Sequence, residues 1–231
     1  MSAALVVLMR WPRRGEGKTR LAAQVGAAAA HRLHRAFVAD TLAWPAPRPR
    51  LLAVSPDAAA LLAARAAAPD AVVVPQLHGG LGVRIGGALT AALRSGADRA
   101  VLVGTDSPSL PHRCLLECLD SVRCGGACMV RAEDGGFVAL AVHGEVARRP
   151  GLDWLHGAIA WSTEQAAAQT VAVAARSGVR IETLAERWYD VDGRADLGRL
   201  HADLRADPER APRTLRCLER MALATPAELA S

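Results

Sequence analysis

Short apolar runs alternate along this chain with longer stretches in which apolar residues recur every three to four positions. The short runs occupy residues 4–9, 51–54, 71–75, 100–104, 127–130, 137–142 and 179–184. Each is bounded by glycine, proline or polar residues, which is the signature of strands buried on both faces. The longer stretches occupy 20–42, 57–68, 81–94, 111–122, 163–177 and a tail over 195–223. Their spacing predicts helices with one apolar face. Strands that alternate with helices of this length predict an α/β fold, a three-layer α/β/α arrangement around a mostly parallel, mixed sheet of Rossmann type. A single domain over residues 1–231 is expected, with a core over about 4–200 and a helical tail from about 201.

In such sheets ligands collect where the chain leaves the carboxyl ends of strands, and here those segments carry the chemistry. After the first run comes Arg10-Trp-Pro-Arg-Arg-Gly-Glu-Gly-Lys-Thr-Arg20. A P-loop would need glycine where Pro12 stands, and proline offers neither an N–H nor a free φ. Even so, Gly15, Gly17, the N–H groups of a helix starting near Lys18, and the cations Arg13, Arg14, Lys18 and Arg20 make an anion-binding loop. Gln76 to Arg84 follows the third run, with Gly79 and Gly82 permitting close backbone approach. Asp106 follows the fourth, where a carboxylate beside a phosphate site holds Mg²⁺; capping of the next helix by Asp106 or Ser107 is the competing reading. Asp134-Gly135-Gly136 has the composition of a hairpin turn. Ser162 and Gln165 form a capping-box pattern after Trp161, with Thr163 inside it. Asp190 and Asp192, two apart on an extended segment, point to one side and repel unless a cation relieves them; Asp196 belongs to the first turn of the next helix.

Composition narrows the function. At 51% hydrophobic residues the chain supports a packed core, and no apolar run reaches the roughly 20 residues that span a bilayer; a cytoplasmic protein with no membrane partner is expected. The net charge of +5 is scattered and aromatic residues are only 3%, so the stacking platforms of nucleic-acid binders are missing. Lys18 is the sole lysine among 28 basic residues, which places the one compact, flexible ammonium in the glycine loop. Cys114, Cys118, Cys124 and Cys128 lack the usual C-x2-C spacing of zinc sites. They read as buried thiols packed as small hydrophobes.

Taken in order, these motifs resemble K-x-P-x-P-G-x-x-K-T-R-L, G-D-L-G-x-R-M, G-x-D-x-P-x-L, D-G-G-Y, W-S-T and D-V-D-x-x-x-D-L. That is the pattern of the bacterial transferases with a glycosyltransferase-A-like fold that occur beside radical-SAM and selenium or arsenosugar genes, the DUF2064 type. The fold is similar to that of molybdopterin guanylyltransferases and of 2-phospholactate or phosphoenolpyruvate guanylyltransferases. The resemblance runs from about Leu5 to about Leu200, with departures at Arg10, Arg14, Gly80 and Phe137. It implies a nucleotide-utilising transferase whose partners are an NTP or nucleotide sugar and a small-molecule acceptor. Lys18, Arg20 and Asp106 would serve catalysis. Asp106, Asp190 and Asp192 would hold Mg²⁺ or Mn²⁺. Arg10, Gly15, Thr19, Gln76, Gly79, Gly82, Arg84, Asp134, Gly135, Gly136, Trp161, Ser162 and Thr163 would bind the nucleotide, its base near Gln76. The cation-rich loop and the single aspartate of Thr105-Asp106-Ser107 favour nucleotidyl transfer over glycosyl transfer. A P-loop kinase and a non-catalytic nucleotide-binding module are the remaining readings.

Overall fold

The computed structural model describes residues 2–45, 47–149 and 151–223. Among them the chain forms two compact units, one from residues 2–9, 47–104, 112–149 and 151–189, the other from 10–45, 105–111 and 190–223. The chain passes from the first to the second directly after three strands, β1 (Ala3–Arg10), β4 (Arg99–Val103) and β7 (Ile181–Trp188).

Seven strands make one sheet in the order β3-β2-β1-β4-β6-β5-β7, with β2 at Arg50–Ser55, β3 at Val72–Pro75, β5 at Ala127–Ala132 and β6 at Phe137–His143. β1 pairs with β4, β2 with β3 and β5 with β7 in parallel, while β6 runs antiparallel to both β4 and β5. This is the mixed α/β sheet that the pattern predicts, and all seven apolar runs form strands. Alternate residues explain both layers of the core. Ala4, Val6, Leu51, Ala53, Ala100, Leu102, Met129, Leu140 and Val142 face one side, where they join Ile85 and Leu89 of α4 (Leu81–Arg94) and Val173 and Ala174 of α7 (Ala166–Arg176). Their strand neighbours, Leu5, Val7, Val101, Val103, Cys128 and Val130, are also buried. They face the opposite side, where Cys128 bonds Cys118 of α5 (His112–Ser121). Period-two burial on both faces requires the continuous apolar runs seen in the sequence. Cys114, Cys118 and Cys128 are buried and Cys124 is exposed. Burial pushes the Cys114 thiol up to about 11, so it stays protonated and packs as a hydrophobe. Helices α3 (Ala58–Ala67) and α6 (Gly144–Arg148) and a 3-10 turn at Asp153–His156 complete this unit.

The second unit is helical. The stretch 20–42, expected as one helix, is broken into α1 (Thr19–Val25) and α2 (Ala27–Ala43) at Gly26, whose φ of 84° lies outside the helical region. The tail 195–223 is likewise two helices, α8 (Arg194–Ala206) and α9 (Pro212–Leu223), because Pro208 cannot continue the hydrogen-bond ladder. Leu33, Phe37, Leu200, Leu204, Leu215 and Leu218 are buried between these helices. Asp40, with a fully buried carboxylate, accepts from the N–H groups of Arg213 (3.1 Å) and Thr214 (2.7 Å) and so caps α9 from α2. Among the described residues no helix is long and apolar enough to cross a membrane.

Candidate active site

The loop after β1 is set by local backbone geometry. Glu16 N–H donates to Arg13 O at 3.1 Å, and Gly15 and Gly17 take φ values of 79° and 71°. Lys18 itself is left-handed at φ 47°, which a lysine adopts only where its surroundings hold it. What holds it is its side chain, only 6% exposed. The ammonium donates to Val191 O at 2.6 Å, lies 3.1 Å from Asp106 Oδ1 and 3.8 Å from Asp192 Oδ1, and stands 5.7 Å above the Phe37 ring. The ammonium thus hydrogen-bonds one carbonyl and ion-pairs with two carboxylates, the Asp192 contact being electrostatic at its 3.8 Å.

The segments that supply those oxygens are tied to each other. Val191 N–H donates to Asp106 O at 2.8 Å. Asp196 Oδ2 accepts from Asp192 N–H (3.0 Å) and Gly193 N–H (2.8 Å), closing the start of α8. Arg20 Nη1 pairs with Asp192 Oδ2 at 3.2 Å, and Arg10 Nη2 with Glu16 Oε2 at 3.0 Å. Asp190, expected beside Asp192, accepts instead from Ser107 Oγ at 2.5 Å, which also gives Ser107 a role other than helix capping. Among the described residues no three Asp, Glu, His or Cys side chains form a metal cage. Two carboxylates on one ammonium are the arrangement present.

His34 lies behind this loop, a residue that no motif in the sequence marks. A Cβ on Gly17 would stand 3.5 Å from its Cε1. The imidazole is 4% exposed, and among the described residues its Nδ1 has no hydrogen-bond partner. Burial, against the opposing pull of Asp106 and with the repulsion of Lys18, His31 and Arg10, lowers its pKa from 6.5 to about 4. The available signal was a histidine on the apolar face of α2, one turn from Phe37.

In the first unit, Gln76 spends its amide hydrogens on Met9 O (2.8 Å) and Ala53 O (3.0 Å), clamping β1 and β2. Arg84 Nε folds back on Gly79 O at 3.0 Å. Three motifs far apart in sequence meet here. A Cβ on Gly135 would fall 2.0 Å from Glu164 O, and one on Gly82 would fall 1.8 Å from Leu155 O and 3.0 Å from the Trp161 ring. Trp161 meets Phe137 edge to face at 6.1 Å. The Asp134–Gly136 segment is the β5–β6 hairpin turn, with Asp134 Oδ1 accepting from Gly136 N–H at 3.0 Å. The capping box expected at Ser162 does not form. Ser162 is left-handed at φ 64°, Thr163 Oγ1 donates to Ala160 O at 2.7 Å, and α7 starts only at Ala166 without a side-chain cap. A left-handed Ser162 turns the chain away from the geometry in which its hydroxyl could reach the third helical N–H.

The sequence of residues 38–163 matches the model of DUF2064, described as an uncharacterized protein conserved in bacteria, over more than half the chain. The chain belongs to that family. Among solved structures, a protein from Desulfovibrio desulfuricans G20, provisionally assigned as a nucleotide-diphospho-sugar transferase, is 27% identical with a TM-score of 0.86 and 96% of each chain covered. A cytidylyltransferase from Leptospira borgpetersenii serovar Hardjo-bovis strain JB197 is 12% identical at a TM-score of 0.55, covering 96% of this chain and 94% of its own. The 4-diphosphocytidyl-2C-methyl-D-erythritol synthase of Anaerococcus prevotii DSM 20548 is 9% identical at 0.56, covering 87% and 96%. At those identities the last two share the fold. No curated protein matches the chain.

Proposed function

We propose that this DUF2064 protein is a nucleotide-dependent transferase and that Asp106 and Asp192 face the nucleotide phosphates across a divalent cation, Mg²⁺ or Mn²⁺. The observation that carries the reading is the meeting of Lys18, Asp106 and Asp192, drawn from the segments that follow β1, β4 and β7. Two carboxylates that already share a cation fit Mg²⁺, which takes one or two protein carboxylates and completes its shell with phosphate oxygens and water. Such an ion, when bound, neutralises charge on the transferring and leaving phosphates. Asp190, engaged by Ser107, supports the segment from behind.

Nucleotidyl transfer to a small phosphorylated acceptor, with pyrophosphate leaving, is the reaction assigned first. The segment after β4 supplies one aspartate and not an Asp-x-Asp pair, and the second carboxylate comes from a separate stretch after β7. Glycosyl transfer from a nucleotide sugar is the second reading. The likeness to the Desulfovibrio protein favours it, as does the pairing of Arg10, Lys18 and Arg20 with carboxylates, which reduces the loop's surplus of positive charge. Incubation with each NTP or nucleotide sugar, Mg²⁺ and a panel of small acceptors separates the two. Pyrophosphate release that is abolished by Asp106→Asn supports the first; nucleoside diphosphate release so abolished transfers the assignment to the second. Turnover that survives Asp106→Asn overturns both.

A further inference from the structure

The carboxylate pair is already neutralised from within. Lys18 and Arg20 carry two positive charges against the two negative charges of Asp106 and Asp192, and the Lys18 ammonium hydrogen-bonds Val191 O while ion-pairing with both carboxylates. The Lys18 side chain is nearly closed to solvent, whereas Arg20 is 77% exposed and Asp106 and Asp192 are about half exposed at 46% and 49%. Of the two cations, then, the buried ammonium controls the pair, since an exposed arginine is screened by water and salt.

A free divalent ion entering this cluster would add two uncompensated positive charges a few ångströms from a shielded ammonium. Like charges at such range repel strongly where water is scarce. A divalent ion that arrives with nucleotide phosphates brings its own negative charge, and the ammonium gains phosphate oxygens as alternative acceptors. We propose that Lys18 is the resident counter-cation of the Asp106–Asp192 pair, so that the pair takes a divalent ion only together with nucleotide phosphates and not alone. This rests on the reading of the pair as the metal-facing site. It assigns Lys18 a gating role in cation loading, separate from any contact with the leaving group.

Equilibrium dialysis with Mn²⁺, in the presence and absence of a mixture of the four NTPs, tests this without any turnover. Wild type should retain Mn²⁺ only with NTPs. Lys18→Met, which leaves the pair short of one cation, should bind Mn²⁺ without NTPs at least tenfold more tightly than wild type, and Lys18→Met/Asp106→Asn should lose that gain. Lys18→Arg keeps the charge and should still exclude free Mn²⁺. Lys18→Gln provides the same test should Lys18→Met fail to fold: no rise in Mn²⁺ affinity without NTPs in the variant that folds overturns the proposal, whereas Arg20→Met, at an exposed and screened position, should raise it far less than loss of the ammonium does. Wild type that binds Mn²⁺ equally well with and without NTPs also overturns it, while leaving the metal site intact. If Asp106→Asn does not alter Mn²⁺ retention in the presence of NTPs, the pair is not the metal-facing site, and the functional reading fails with the inference.

Discussion

At the scale of single residues, burial decides what each charged or titratable group can do. His34 is neutral in the folded protein because burial lowers its pKa to about 4, whereas in the unfolded chain it titrates near 6.5. Between those values the unfolded state binds the extra proton. Its contribution to stability is therefore full above about pH 6.5 and is lost as pH falls toward 4, at about 1.4 kcal/mol per pH unit. Urea denaturation across that window should show the slope, and His34→Gln should flatten it; an unchanged slope would assign the acid sensitivity to other groups. Lys18 makes the same point for the site. Its sequence context, a lone lysine among arginines in a glycine loop, sets it apart. Its partners are not legible in the sequence, because Asp106 and Asp192 lie far downstream with no basic neighbour beside them. Only the fold shows that one ammonium serves both and that Ser107 takes Asp190.

Among the elements, strands were more legible than helix boundaries. A strand buried on both faces must be apolar throughout, which makes the runs of β1, β4 and β6 plain in the sequence, whereas half-buried β7 carries Glu182, Glu186 and Arg187 and is legible only at its start. Helix breaks depend on single residues that propensity tolerates: Gly26 leaves the helical region at φ 84° although its neighbours are alanines, and Ser162 turns left-handed where its spacing to Gln165 suggested a cap. The tertiary cap of α9 by Asp40 had no local signal at all. Asp40→Ala should lower stability by about 2 to 4 kcal/mol, since it strands two helix-terminal N–H groups in a buried place. Asp57→Ala removes an ordinary local cap, the 3.1 Å bond from Ala60 N–H, and should cost about 1 kcal/mol. Thermal unfolding distinguishes the two. Glycines behave by the same logic. Gly82→Ala would push a methyl into Leu155 O and the Trp161 ring and should cost about 2 to 4 kcal/mol. Gly198→Ala at an exposed position of α8 meets nothing within 4 Å and should stabilise by about 0.5 to 1 kcal/mol. Equal effects at the two positions would contradict the packing described for the α4 start.

For the whole molecule, the sheet matters to function through chain order. Parallel β1, β4 and β7 each hand the chain to the second unit, and the three stretches that follow them contribute Lys18, Asp106 and Asp192. Chemistry that is scattered over more than half the sequence thereby becomes one cluster, which is why motif order was informative and motif spacing was not. The fold hosts both nucleotidyl and glycosyl transfer, so the architecture alone does not choose between them. The central claim is that the Asp106–Asp192 pair receives a divalent ion with the nucleotide phosphates. A crystal structure grown with an NTP and Mn²⁺, with the ion located by its anomalous signal, tests it most directly. The account predicts an ion bonded to Asp106 and Asp192, directly or through one water, and to phosphate oxygens, with Lys18 turned from the carboxylates toward the phosphates. A nucleotide bound with its ion remote from Asp106, and Lys18 still on Asp106, Asp192 and Val191 O, would contradict it.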